Sequence, residues 1–116
     1  MSAVLVFVGG GTGAVLRWCL SLLVTSPFGT LLANLIGSAM LAALMHPSLG
    51  VDPRWQLTLG TGCLGGFTTY STFNLEVIKA LQAGQTGQAL ATALGTMVGC
   101  LLAGMGGWWL TGMLRG

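Results

Sequence analysis

Gly65-Gly66-Phe67-Thr68-Thr69-Tyr70-Ser71-Thr72-Phe73-Asn74 sets two adjacent glycines and a run of hydroxyls inside an apolar stretch of about residues 55–81. A helix in hydrocarbon satisfies its backbone groups internally, so a break at membrane depth is tolerated only where protein buries it or it lines a cavity. The segment therefore predicts a helix broken mid-membrane, with freed carbonyls that suit a hard cation. The same residues also fit an unbroken helix kinked at glycine, its hydroxyls bonding back to the main chain.

Composition around this stretch sets the solvent. Of 116 residues, 53% are hydrophobic, 5% are charged and 20 are glycine, and the mean hydropathy is +0.85. Soluble domains carry about 25% charged residues. With Lys and Arg numbering 4 and Asp and Glu 2, there is too little charge to cover a water-facing surface. A solvated globular domain, a disordered segment, a basic nucleic-acid module and a disulfide-stapled secreted domain are all excluded. The chain reads as an integral protein of the lipid bilayer.

A helix needs about 20 apolar residues to cross a bilayer, and the chain divides into four such runs at about 3–24, 28–45, 55–81 and 89–114. They form a single transmembrane domain spanning 1–116, all-α in class. Thr25-Ser26-Pro27 marks the first turn, because proline cannot continue the preceding helix. The main loop, His46 to Arg54, holds Pro47 and Pro53. Gln82 to Gln88 is a polar connection, and Trp108 and Trp109 suit a membrane interface. Arg54 and Arg115 on one side oppose Lys79 on the other, a charge bias too small to fix orientation. Such a chain can insert both ways, and two opposite copies can pair. Gly62-x-x-x-Gly66 and Gly95-x-x-x-Gly99 are small-residue patterns that favour close helix contact.

Several polar residues within these runs have both a structural and a functional reading. Arg17 is costly in a span. It either ties helix ends together or places a fixed positive charge in an anion-attracting vestibule. Thr30, Asn34 and Ser38 recur at i, i+4 and i+8, one polar stripe on an apolar helix. The stripe serves interhelical hydrogen bonding, or it lines a pathway where the Asn34 amide donates without carrying a charge. Gly9-x-Gly11-x-Gly13-Ala14 lies in an opening run that matches a dinucleotide fingerprint on paper, but the acidic residue needed about 20 positions on is missing. These glycines read as helix-packing positions. Cys19, Cys63 and Cys100 read as small buried hydrophobes, His46 as a surface-loop residue, and Glu76 with Lys79 as an i, i+3 ion pair. No nucleophile–base spacing or metal-ligand cluster suggests an enzyme.

Gly13-Ala14-Val15-Leu16-Arg17 in the first run, Gly29-Thr30-Leu31-Leu32-Ala33-Asn34 with Gly37 in the second, and Gly65 to Phe73 in the third together resemble the Fluc family, also called CrcB. The resemblance covers nearly the whole chain. It implies a fluoride-selective passive channel of the bacterial inner membrane, multi-pass, that exports fluoride down its electrochemical gradient and protects the cell from its toxicity. It also implies an antiparallel, dual-topology homodimer with two fluoride pores and one structural sodium ion at the dimer axis. On that resemblance, backbone carbonyls of Gly65 and Thr68 from both copies would hold the sodium. Tyr70 and Phe73 would be the paired pore aromatics, Asn34 the pore asparagine, Thr30 a second-run threonine and Arg17 the vestibule arginine. Ser71, Thr72 and Glu76 match a polar stretch on the outer part of the third helix. This chain departs from the family pattern in having Tyr70 in place of phenylalanine, and Thr92 and Thr96 in place of a tyrosine and a serine.

These residues suit fluoride, whose strong hydration must be replaced without binding too tight to release. Neutral donors on Asn34, Ser71, Thr92 and Thr96 meet that requirement, as do the partly positive ring edges of Tyr70 and Phe73. Two other readings compete: a small dual-topology proton-coupled multidrug exporter, and a non-conducting subunit of a heteromeric complex. The exporter needs a titratable group in the membrane, whereas the acids here are Asp52 in the main loop and Glu76 late in the third run.

Overall fold

The computed structural model describes residues 1–115. Helix accounts for 86% of the chain, with no strand among the described residues. Helix α1 (Ser2–Leu23) and α2 (Phe28–Leu44) follow the first two apolar runs. A 3-10 turn, Pro47–Leu49, leads to α3 (Pro53–Trp55), which continues without interruption through a π-helical stretch, Gln56–Leu64, into α4 (Gly65–Phe67). Helix α5 (Ser71–Gln82) and the long α6 (Thr86–Arg115) complete the chain. By length and composition α1 and α6 can each cross a membrane, and α2 is a shorter apolar helix.

Burial is reversed from that of a soluble core. Gly9, Gly13, Ala33, Asn34, Gly37 and Thr96 point inward, while Phe7, Leu23, Phe28 and Met113 are 82%, 84%, 65% and 80% exposed. In lipid, apolar side chains gain nothing by turning in, so close packing of small residues holds the helices together.

The tightest seam joins α1 to the π-helical stretch. Gly9, Gly10 and Gly13 on α1 face Gly62, Cys63, Gly66 and Phe67, so glycine meets glycine from both sides. The i→i+5 bonding of a π-helix widens the turn. Positions 58, 62–63 and 66–67 consequently all face α1. A Cβ at Gly13 would overlap the Cys63 carbonyl and lie 2.8 Å from the Phe67 nitrogen, both backbone atoms. Gly13→Ala should cost about 1–3 kcal/mol of stability, read as earlier thermal unfolding in detergent. Gly11→Ala, whose Cβ would meet nothing within 4 Å, is the control expected to leave unfolding unchanged.

Several expectations need correction here. Within one copy, Gly11 and Gly95 face open space and pack against no other helix among the described residues. Cys19 is exposed, while Cys63 and Cys100 are only half-buried. His46 is no free surface residue: its ring lies 4.5 Å from that of Trp108, and its Nδ1 accepts from the Ser48 N–H at 3.1 Å. The turn after α5 is shorter than the polar stretch 82–88. Gly84, at φ +76, lets the Gly84 and Gln85 N–H groups bond back to the Leu81 and Ala80 carbonyls, and α6 starts at Thr86.

Candidate functional site

The break comes after the glycines rather than at them. Gly65 and Gly66 are helical, and the chain turns extended at Thr68, with φ −81 and ψ 156. Thr68 still bonds back to Leu64 through both its N–H and its hydroxyl, each at 3.0 Å. The next N–H, on Thr69, would bond Gly65 in a continuing helix; it donates instead to Asn34 Oδ1 at 2.9 Å. Asn34 Nδ2 returns a bond to the Thr69 carbonyl at 3.0 Å. Helix α5 then restarts with the Thr72 N–H donating to Thr69 Oγ1 at 3.2 Å, which satisfies one of the helix's unpaired first-turn donors.

One side chain on α2 thus closes both polar groups of a buried peptide residue 35 positions away. The pairing also fixes which end of the Asn34 amide is oxygen, since Thr69 presents one donor and one acceptor. An amide nitrogen carries two hydrogens, so one Asn34 N–H remains for another partner.

The same rerouting frees main-chain carbonyls. Among the described residues, neither the Gly65 nor the Thr68 carbonyl accepts a hydrogen bond, because the Thr69 and Thr72 N–H groups that would reach them are bonded elsewhere. Unengaged carbonyl oxygens are the donor type a hard cation takes.

Beside the break lies a groove of about 300 Å³, with Asn34, Thr68, Thr69, Tyr70, Phe73 and Thr96 in its wall. Phe73 is buried, and Tyr70, 74% exposed, meets it edge to face with ring centroids 5.6 Å apart. Thr92 stands one helical turn from Thr96 in an adjoining cavity of about 380 Å³. Arg17, Thr30 and Thr72 line a different cavity of about 220 Å³. Arg17 forms no ion pair among the described residues. Ser71 is exposed on the first turn of α5.

Glu76 departs from the i, i+3 expectation. The ion pair among the described residues is Arg54 with Asp52 at 3.7 Å, not Glu76 with Lys79. Glu76 Oε2 instead accepts from the Ser26 hydroxyl and, at 2.8 Å, from Thr30 Oγ1. Its other oxygen is buried without a partner among the described residues. The stripe on α2 therefore supplies two anchors, Thr30 to Glu76 and Asn34 to the break, while Ser38 lines the groove wall.

Gln88 escapes attention in the sequence because it looks like part of a connecting loop. It belongs to the first turn of α6 and lines a cavity with Glu76 and Thr92. Its signal is the i, i+4, i+8 spacing with Thr92 and Thr96.

Residues 4–108 match the family described as CrcB-like protein, Camphor Resistance (CrcB). A protein of Erwinia tasmaniensis named fluoride-specific ion channel FluC is 40% identical over 94% of each chain. Burkholderia cenocepacia has one of the same name, 42% identical over 92% of this chain and 91% of the relative. A third, from Pectobacterium atrosepticum, is 46% identical over 84% of this chain and 83% of its own. With the match running from the first helix nearly to the end of the last, the chain belongs to the CrcB family.

Proposed function

We propose that this protein is a fluoride-selective channel, not an enzyme, letting fluoride leave the cell down its electrochemical gradient and so limiting fluoride toxicity. In this reading the chain is one domain of four spans in the bacterial inner membrane, working as an antiparallel, dual-topology homodimer. The observation that carries it is the groove at the helix break, walled by an amide, hydroxyls and two aromatic rings, with no carboxylate among its lining residues. Such neutral donors can replace part of fluoride's water while leaving it free to depart. That wall is built of neutral side chains, as escapable binding of an anion requires; Glu76 lies outside it, with one carboxylate oxygen held by Ser26 and Thr30. The names of the relatives support fluoride as the ion.

The groove residues divide the work. Asn34 holds the break and keeps one N–H for the ion. The edges of Phe73 and Tyr70 offer partial positive charge, and Thr96 and Thr92 offer hydroxyls along α6. Ser71 extends the hydroxyl track along α5, and Thr72 and Thr30 line a separate vestibule with Arg17, whose charge attracts anions. The carbonyls of Gly65 and Thr68, unengaged among the described residues, are those that would hold a structural sodium ion between two copies. That ion would supply fixed positive charge at the axis.

Purified protein in liposomes should release fluoride rapidly under a membrane potential without releasing chloride, as read by ion-selective electrodes. Flux that depends on a proton gradient would favour the exporter, and well-folded protein that carries no fluoride would favour a non-conducting subunit.

A further inference from the structure

Three cavities of this protein share wall residues in series, from a polar mouth to the groove at the break. The cavity lined by Glu76, Lys79, Gln88 and Thr92 holds about 190 Å³. Gln88 and Thr92 also line the cavity of about 380 Å³ beside it. Thr96 in turn lines both that cavity and the groove at the break. The Arg17 cavity shares no lining residue with any of these three.

We propose that the Lys79–Gln88 mouth is the entrance by which the anion reaches the groove from this end of the protein, a proposal that rests on the fluoride reading above. Lys79 is exposed at the rim and gathers anions by long-range attraction. Gln88, exposed on the first turn of α6, supplies the first neutral donor of a line that continues through Thr92 and Thr96 at one-turn intervals.

The position of Glu76 makes chemical sense in such a mouth. Ser26 and Thr30 tie one carboxylate oxygen, while the other is buried and lacks a partner among the described residues. A carboxylate in the wall of the cavity whose rim carries Lys79 offsets part of the ammonium's field, so an anion is attracted without being trapped. Conduction requires that balance.

Ionic strength separates the two roles. The Debye length falls from about 30 Å at 0.01 M to about 3 Å at 1 M. In liposome fluoride efflux, Lys79→Gln should lower flux roughly tenfold at low salt and approach wild type at high impermeant salt. Lys79→Arg should behave as wild type throughout. Gln88→Leu should lower flux about tenfold at both salt concentrations, since a missing hydrogen-bond donor is not screened. Both positions are exposed, and matching size-exclusion profiles will establish that the variants are folded. Wild-type flux with Lys79→Gln and Gln88→Leu unchanged overturns this entrance alone. So does a salt-dependent loss that appears in Arg17→Gln and not in Lys79→Gln. Failure of the wild type itself to carry fluoride overturns the fluoride reading and this entrance with it.

Discussion

Asn34→Leu is expected to lose fluoride flux and stability together. The substitution keeps an apolar side chain of similar size on α2 but strands the N–H and the carbonyl of Thr69, which Asn34 now bonds at 2.9 and 3.0 Å. Thr69 is 8% exposed, so water cannot easily take over. A buried polar group left without its partner costs about 1–3 kcal/mol, and two of them together roughly 2–6 kcal/mol. Thermal unfolding in detergent, followed by near-UV circular dichroism, reads stability separately from conduction. An Asn34→Leu protein that unfolds at the wild-type temperature yet carries no fluoride would mean that Asn34 contacts the ion and does not hold the break.

That clip also explains where the sequence stops being informative. Apolar run length locates α1, α2 and α6, because hydrocarbon thickness sets helix length, and the glycine and hydroxyl content of 65–74 announces a break. The break's exact site is a different matter. Gly65 and Gly66 are the residues that most weaken a helix locally, yet they stay helical because α1 packs against the same run through its own glycines. The helix opens three residues later, where a side chain from α2 offers Thr69 better bonds than the helix does. Nothing local to 65–74 reveals that partner. Glu76 makes the same point: its spacing from Lys79 suggests a pair, but the Ser26 and Thr30 hydroxyls approach from elsewhere in the fold. The π-helical stretch is equally hidden, since it depends on how closely α1 can approach. Most of the groove residues were legible through resemblance to a known family. Gln88 was missed: its spacing with Thr92 and Thr96 becomes a signal only once the helix is known to begin at Thr86.

Phe73→Ile separates the chemistry of the groove from its shape. Phe73 is 6% exposed and lies in the groove wall with Asn34 and Thr96. Isoleucine is smaller but apolar, and the lost transfer energy and small cavity together cost about 1–2 kcal/mol. The variant should therefore fold, run as wild type on size exclusion and unfold only slightly earlier. What isoleucine lacks is a ring edge with partial positive charge. If that edge helps replace fluoride's water, its loss raises the barrier directly, and a hundredfold fall in flux corresponds to roughly 2.7 kcal/mol. The expected result is fluoride flux reduced at least a hundredfold, to the limit of detection. Tyr70→Phe is the companion experiment. It keeps the ring that meets Phe73 at 5.6 Å and removes only the phenol oxygen, so flux should stay within a few-fold of wild type. Undiminished flux in Phe73→Ile would take the Phe73 ring off the ion's path. A large loss in Tyr70→Phe would mean that the phenol hydroxyl, not the ring edge, makes the contact fluoride needs.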